Sequence, residues 1–259
     1  MVRGWTGSAA VVALSLAGSA YAQDNLPPQE KYGLRLQYRE FRPTLTGVAQ
    51  KAMGEKAGTE VDVTDDLGLT DKRTFDLRAT IQFKRGWKLR GSFTPFDYKG
   101  DVEATRAFTY GDTRYSRFDH VVSSVKGTYA SADLEWDFLK GSHGFLGAVV
   151  GAKLFDVDTA IVDASINARE VDTITAPIPV IGLATRFYTG RVSFEGEIAG
   201  LSIGSRGSLL EAEASVRLHI SERLAVMGGY RHLSLDGKDG LDEVDLKLGG
   251  WQFGLEISL

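Results

Sequence analysis

The chain contains no cysteine among its 259 residues. A disulfide framework, a thiolate zinc site, an iron–sulfur cluster and a cysteine nucleophile are therefore excluded. Proline is scarce, and beyond the N-terminal segment no run of 18 apolar residues offers a membrane-spanning helix. The formal charge of −4 argues against a basic nucleic-acid-binding protein. A hydrophobic share of 43% is nevertheless too high for a disordered chain, so a folded protein is expected.

The N-terminal segment has the layout of an export signal. Arg3 precedes a short apolar run, and the tripeptide AYA at 20–22 has the small-x-small form of a cleavage site. The apolar run is too short to span a membrane as a helix. We therefore expect residues 1–22 to be a cleaved signal peptide and residues 23–259 to form one domain of an exported protein.

Apolar and polar residues alternate with period two over nearly all of the remaining chain, which is typical of β-strands. Ten such segments are found, and the clearest run from Phe75 to Phe83 and from Leu210 to Leu218. Short connections alternate with longer or more polar ones. The short connections are 84–86, 140–143, 189–190 and 221–222. The longer or more polar connections are 42–72, 109–113, 158–177, 203–208 and 235–241. The pattern predicts an all-β fold: a single transmembrane, antiparallel, up-and-down β-barrel of ten strands, with eight or twelve as alternatives.

The alternation also separates charged from apolar surface. In a membrane barrel the apolar face meets lipid and the polar face lines the lumen, whereas a soluble barrel has the reverse arrangement. Small residues on the apolar face, such as Ala130 and Ala212, would fill a soluble core poorly. We therefore predict that the polar faces line a lumen in which acids and bases pair. The predicted lumen charges are Arg35, Arg78, Arg90, Asp133, Glu135, Arg186, Glu195, Glu197, Glu211, Glu213, Arg217 and Arg231.

The last strand contains a phase slip. Its first half places Val244, Leu246 and Leu248 on the predicted lipid face, which puts Asp245 and Lys247 on the lumen face. The alternation then changes phase at the pair of glycines at 249–250. A glycine pair at such a slip predicts a β-bulge.

The C-terminal segment resembles the terminal β-signal of bacterial outer-membrane barrels. The last eight residues read QFGLEISL, and Gln252, Gly254, Ile257 and Leu259 occupy the characteristic positions, although Leu259 replaces the commoner Phe. With its export signal, the chain resembles the small outer-membrane β-barrel proteins of Gram-negative bacteria, the OmpA/OmpW/OmpX-like grouping. The resemblance implies insertion into the outer membrane, contact with its lipid and lipopolysaccharide, and recognition by the barrel-assembly machinery through the C-terminal strand. It implies no single activity.

Three functions are compatible with this pattern. Ten strands enclose little more than their own inward side chains, so we expect a monomeric, non-enzymatic barrel with a structural role or a surface-interaction role through loops 42–72 and 158–177. A narrow pore for small polar solutes is one alternative. The other is a lipid A-modifying hydrolase at the barrel rim, because His232 and Ser234 lie two apart on one strand. This pair faintly resembles the His-x-Ser of lipid A 3-O-deacylases but lacks their adjoining Asn, and Glu243 is the candidate third member.

The remaining motifs are weaker. Asp62, Asp65 and Asp66 could bind Ca²⁺ or Mg²⁺, but they form no EF-hand pattern, and a solvated acidic loop is the simpler interpretation. A protease of the omptin kind would need paired acids and a His–Asp couple at the rim, for which Asp119-His120 is the only adjacent pair. We therefore expect no metal site, no cofactor and no nucleic-acid partner.

Overall fold

The structure, a computed structural model, describes Glu30 and residues 33–164 and 168–259. The predicted signal peptide at 1–22 lies outside the described residues. No helix in the described part of the chain is long and apolar enough to cross a membrane.

Ten long strands form a closed antiparallel barrel, which confirms the predicted fold and strand number. Each long strand pairs with its neighbours in chain order, and the last pairs with the first to close the wall. Three further strands are short and lie in the connections: β2 (Val61–Asp62), β5 (Phe108–Tyr110) and β6 (Thr113–Tyr115). In chain order the strands are β1 (Leu34–Gln50), β2 (Val61–Asp62), β3 (Thr74–Lys84), β4 (Trp87–Glu103), β5 (Phe108–Tyr110), β6 (Thr113–Tyr115), β7 (His120–Gly141), β8 (Gly144–Asp163), β9 (Ala168–Thr189), β10 (Val192–Ser202), β11 (Gly207–His219), β12 (Leu224–Asp239) and β13 (Asp242–Ser258).

The short turns identify one end of the barrel. Gly86 and Gly190 adopt φ angles of 78° and 58° in two of these turns, a conformation that glycine accepts without strain. The start of β1 and the end of β13 lie at the same end, since Leu34 N–H donates to the carbonyl of Leu259. In outer-membrane barrels the short-turn end faces the periplasm, so the opposite end faces outward from the cell.

The strands are longer than a membrane requires. Strands β7 and β9 have 22 residues each, whereas about 9–11 residues cross a bilayer. We call the wall from the short turns to the level of Phe93, Leu154 and Trp251 the membrane half, and the wall beyond that level the projecting half.

The two faces of the wall exchange their chemistry between these halves. In the membrane half of β8, Val150 and Leu154 face outward and Lys153 is buried inside. In the projecting half, Asp156 faces outward, and Ile161 is buried in the interior. The strand keeps its period of two, but its apolar residues face outward in the membrane half and inward in the projecting half.

The prediction that 158–177 is an extracellular loop is therefore wrong. Strand β8 continues to Asp163 and β9 begins at Ala168. Similarly, β1 includes the first part of 42–72, and β12 includes most of 235–241. Polar residues in these segments suggested loops because their outward faces meet water beyond the membrane.

The bulge predicted at 249–250 is also absent, because β13 pairs with both neighbours there without a register shift. Leu246 and Leu248 pack inside the barrel. Asp245 and Lys247, predicted to face the lumen, face outward with their side chains 44% and 56% exposed. The phase slip marks the level at which the two faces exchange their chemistry.

Candidate functional sites in the lumen, the mouth and the outer wall

The lumen of the membrane half is filled by charged side chains. Asp76 and Arg39 are fully buried, and other inward acids and bases surround them. All twelve lumen charges predicted from the sequence belong to this set and lie inside the wall. Six further charges on the same polar faces of the alternation are also buried inside, as the period of two predicts: Arg39, Asp76, Lys88, Asp137, Lys153 and Glu256.

The centre of this layer is a network around Arg39. Its Nη1 lies 2.5 Å from Glu213 Oε1, and its Nε donates to Asp76 Oδ1 at 2.7 Å. Arg231 reaches the other oxygen of Asp76 at 3.3 Å and Glu211 at 2.6 Å. Each buried carboxylate is thus shared between cations, which is the condition under which buried charges are tolerated.

A second network lies nearer the short turns. The Nη1 of Arg217 is 2.8 Å from Glu195, and its Nε is 3.1 Å from Glu256. Arg186 pairs with the same two carboxylates. Because both guanidinium groups share both carboxylates, the side chains hold each other across the lumen.

Glu30 extends this network at the periplasmic end. Its carboxylate is buried and lies 3.0 Å from Arg35 Nη1 and 3.5 Å from Lys88 Nζ. It also accepts a hydrogen bond from the Tyr188 hydroxyl. Sequence reasoning missed Glu30, because it lies before the first strand where no alternation marks its direction.

The remaining predicted lumen charges form pairs across neighbouring or opposite strands. Arg90 bonds Glu197 through two nitrogens and also contacts Glu135 at 3.0 Å. Asp133 pairs with Lys153 at 3.2 Å. Arg78 donates to Glu213 at 3.0 Å. The space left between Arg35, Arg78 and their neighbours is about 20 Å³, enough for a single water molecule.

The extracellular mouth is occupied by a lid, which we define as residues 51–73 and 104–119. Its apolar side chains pack on inward residues of the projecting half in one buried cluster. The members of the cluster are Val61, Val63, Leu67, Leu69, Tyr98, Ala104, Phe108, Tyr115, Val121 and Ile161.

Hydrogen bonds fix the lid to the wall and join its two segments. Tyr115 donates to the carbonyl of Ile161 at 3.2 Å, and Thr59 N–H donates to the carbonyl of Thr109 at 2.8 Å. The ring centroids of Phe108 and Tyr115 lie 4.7 Å apart. The expected extracellular loop is therefore folded into the mouth.

The carboxylates suggested as metal ligands lie in this lid. Asp62 accepts hydrogen bonds from the backbone N–H groups of Thr64 and Asp65 at 2.8 Å each, which caps a turn. Asp66 binds Arg106 at 3.0 and 2.5 Å. Burial alone would raise the pKa of Asp66, but hydrogen bonds from Arg106 and from the backbone N–H of Asp62 lower it below its usual value. Among the residues described, no group of three acids and histidines could hold a metal ion.

The hydrolase candidates lie on the outward face of β12. His232 and Ser234 follow the outward-facing Tyr230, and they pair with Gly249 and Lys247 of β13. Glu243 lies four residues along β13 from Lys247, and its carboxylate binds Lys238 at 2.9 Å. The structure therefore brings His232 and Ser234 to one face without the third member.

The His–Asp couple at the rim differs from the one adjacent in sequence. His120 contacts Asp101 of β4, and both side chains are more than half exposed. Asp119 instead accepts a hydrogen bond from the backbone N–H of Ser116. The pair lies on the open rim, outside any enclosed cleft shown by the described residues.

The C-terminal residues close the barrel. Leu36 pairs with Ile257 in the β1–β13 register. Gln252 is buried inside, and at Gly254 an added Cβ would lie 2.1 Å from the carbonyl oxygen of Tyr38. Ile257 and Leu259 are exposed on the outside.

No protein-family profile matches the chain, and no curated protein resembles it in sequence. Solved structures do resemble its fold. The outer-membrane protease OmpT from Escherichia coli is 7% identical, with 88% of this chain and 97% of that chain covered and a TM-score of 0.57. The NalP autotransporter translocator domain from Neisseria meningitidis is 12% identical (88% and 88%, TM-score 0.46), and Ail from Yersinia pestis is 13% identical (88% and 97%, TM-score 0.36). Together with the closed ten-strand barrel, the similarity to OmpT shows that the chain has the fold of the small Gram-negative outer-membrane β-barrels, with no subfamily indicated.

Proposed function

We propose that this chain is an integral outer-membrane protein whose barrel is closed to solutes and whose role, structural or surface-interacting, is carried by its outer surface. The observation that carries the proposal is a double closure. Ion-paired side chains fill the lumen of the membrane half, and the lid fills the mouth. Either layer alone would obstruct a solute.

Export and assembly belong to the same proposal. Residues 1–22 would direct the chain to the periplasm and be removed during export. The C-terminal strand, with Gln252, Gly254, Ile257 and Leu259, would be recognised by the barrel-assembly machinery. The folded protein would then be a monomer surrounded by outer-membrane lipid and lipopolysaccharide.

The surface offered to partners differs from the one predicted from the sequence. Residues 51–73 are folded into the mouth, so they present only part of their length outside. The outward faces of the projecting strands, including Lys99, Lys126 and Asp158, are exposed instead. An interaction role would therefore use the rigid strand wall more than flexible loops.

Single-channel conductance in a planar bilayer tests the closed barrel against the narrow pore. Folding is first checked by heat-modifiable mobility on a gel. We expect no conductance steps from the folded protein. Reproducible steps that change in Glu213→Gln, inside the lumen, and not in Glu243→Gln, outside it, would contradict the closed barrel and establish the pore.

One observation favours the hydrolase as a second candidate. His232 and Ser234 share the outward face just beyond Tyr230, where the headgroups of outer-leaflet lipids would lie. Mass spectrometry of lipid A after incubation with the folded protein tests it. Under our proposal the lipid mass is unchanged. Loss of one acyl chain with the wild type and not with Ser234→Ala would establish the hydrolase.

A further inference from the structure

The outward face of β10–β13 contains a shallow, open apolar groove with a volume of about 780 Å³. Small residues, Ala214 and Gly228, form its floor. Larger side chains rise at its sides. They are Phe194, Val216, Tyr230, Trp251 and Phe253, each 42–60% exposed.

The groove lies in the part of the wall that faces lipid. Its upper end is formed by Tyr230 and Trp251, whose rings meet edge to face with centroids 5.3 Å apart. Beyond these rings the outward residues become polar, beginning with His232 and Lys247. Aromatic side chains of this kind mark the membrane interface, so the groove opens to acyl chains of the extracellular leaflet.

A cluster of charged side chains that includes two arginines lies at the upper end of the groove. Arg42 lines it and pairs with Trp251 in the β1–β13 register. Glu40 accepts bonds from Nε and Nη2 of Arg42 at 2.7 Å each, and Arg73 lies 3.9 Å from the same carboxylate. Two guanidinium groups thus share the Glu40 carboxylate, and these three side chains together carry one positive charge. The nearby Asp71 carboxylate is already bonded to the Thr44 hydroxyl and the Leu45 N–H. Guanidinium groups bind phosphate well because their planar donors match its oxygens.

We propose that the groove binds one phosphorylated glycolipid of the lipid A type, with an acyl chain over Ala214 and Gly228 and a phosphate at Arg42 and Arg73. Charge complementarity selects an anionic headgroup. The cluster lies at the end of the groove away from the short turns, which face the periplasm. It therefore lies in the outer leaflet of the membrane. In that leaflet of an outer membrane the phosphorylated lipid is lipopolysaccharide. The inference rests on the proposed outer-membrane location, and it is independent of whether the lumen conducts.

The groove can be filled without disturbing the fold. At Gly228 an added Cβ would lie 3.4 Å from the Phe253 ring, an ordinary contact, so Gly228→Leu should fit and occupy the groove. Gly91→Leu is the matched control, because Gly91 is an outward strand glycine on β4 whose added Cβ meets nothing closer than 3.6 Å. If Gly228→Leu does not fold, Ala214→Phe fills the same floor.

Native mass spectrometry of the refolded protein, titrated separately with lipid A, phosphatidylglycerol and phosphatidylethanolamine, tests the proposal. We expect the wild type and Gly91→Leu to retain one lipid A molecule in preference to either phospholipid. Gly228→Leu should weaken lipid A binding about tenfold or more. Arg42→Gln should remove the preference for lipid A over phosphatidylethanolamine.

Three results would overturn the proposal. Equal lipid A binding by Gly228→Leu and Gly91→Leu would show that the groove does not hold the lipid. Tighter retention of phosphatidylglycerol than of lipid A would assign the groove to a glycerophospholipid. A spread of bound lipids without a preferred single one would show annular lipid only.

Discussion

In the membrane half of this barrel, leucine, valine and phenylalanine face outward while arginine and glutamate are buried inside. In the projecting half, aspartate and lysine face outward while tyrosine, valine and isoleucine are buried inside. The same strands run through both halves with the same period of two. The strand pattern encodes only the alternation of polar and apolar residues. The surroundings, lipid or water, decide whether the apolar face points outward or inward.

The difference also concerns what stabilises each half. The projecting half buries apolar side chains in a core between the wall and the lid, so the hydrophobic effect acts as in a soluble protein. In the membrane half, the described residues place inward apolar side chains such as Val180 and Ala199 in a smaller cluster near the boundary, and charged side chains fill the interior below it. The outward apolar residues of the membrane half are stabilised by contact with lipid. The charges buried in its lumen are tolerated only because they are paired. Substitutions at matched positions should therefore have different costs in the two halves.

The largest effect is expected from removing one member of the buried ion network. Arg39→Met leaves the carboxylates of Asp76 and Glu213 without a main partner, so the free energy of unfolding should fall by about 3–5 kcal/mol. Arg42→Met, outside the barrel and half exposed, should cost less than about 1 kcal/mol. Urea unfolding in lipid vesicles measures both, and equal losses would contradict the account of the interior.

A comparable but local effect is expected in the lid. Phe108 is buried against Tyr115, so Phe108→Ala should destabilise the closed lid by about 3 kcal/mol or more. Hydrogen exchange in residues 104–119 should rise while exchange in the membrane half is unchanged. Phe118→Ala is the control, because Phe118 is 63% exposed. A lid whose exchange is equally fast in both variants would not be held by this core.

A matched pair of valines tests the exchange of faces directly. Val150→Arg places a charge in lipid and should cost about 2–4 kcal/mol. Val122→Arg introduces the same group on the outward face of the projecting half, where it meets water, and should change stability by no more than about 0.5 kcal/mol. Unfolding in vesicles gives both values, and a similar cost at the two sites would argue against the boundary between the halves.

The smallest effect is expected at the Asp66–Arg106 pair of the lid. The pKa of Asp66 is lowered in the folded protein. The pair therefore stabilises the lid at any pH above the ordinary pKa of an aspartate, and this contribution is lost as the pH falls through the lowered pKa. Asp66→Asn should reproduce the acid state at neutral pH and cost about 1 kcal/mol, since Arg106 is half exposed. Lid hydrogen exchange should then lose its acid dependence in Asp66→Asn and keep it in Asp65→Asn, whose side chain is exposed.

Much of the membrane half could be predicted from the sequence. In β3, and in β11 from Leu209 to His219, every outward residue is apolar and nearly every inward one is polar, so the strands, their faces and the charged interior follow from periodicity. The projecting half could not be predicted by the same rule, because Asp156 and Asp158 suggested a loop where their polar face only meets water. The correct signal was present at 249–250, where the alternation changes phase. The lid has only three short strands, and Glu30 lies outside every strand, so their positions depend on tertiary packing.

Spin-label accessibility along β8 tests the central claim most directly, and the absence of native cysteine makes each introduced label unambiguous. Single cysteines would replace Ala148, Val150, Ala152, Leu154, Asp156 and Asp158 in the protein reconstituted in vesicles. We predict that labels up to position 154 collide with oxygen dissolved in lipid, and that labels at 156 and 158 collide with a water-soluble nickel reagent. Lipid exposure at all six positions, or water exposure at all six, would contradict a wall whose outward face passes from lipid to water at that level.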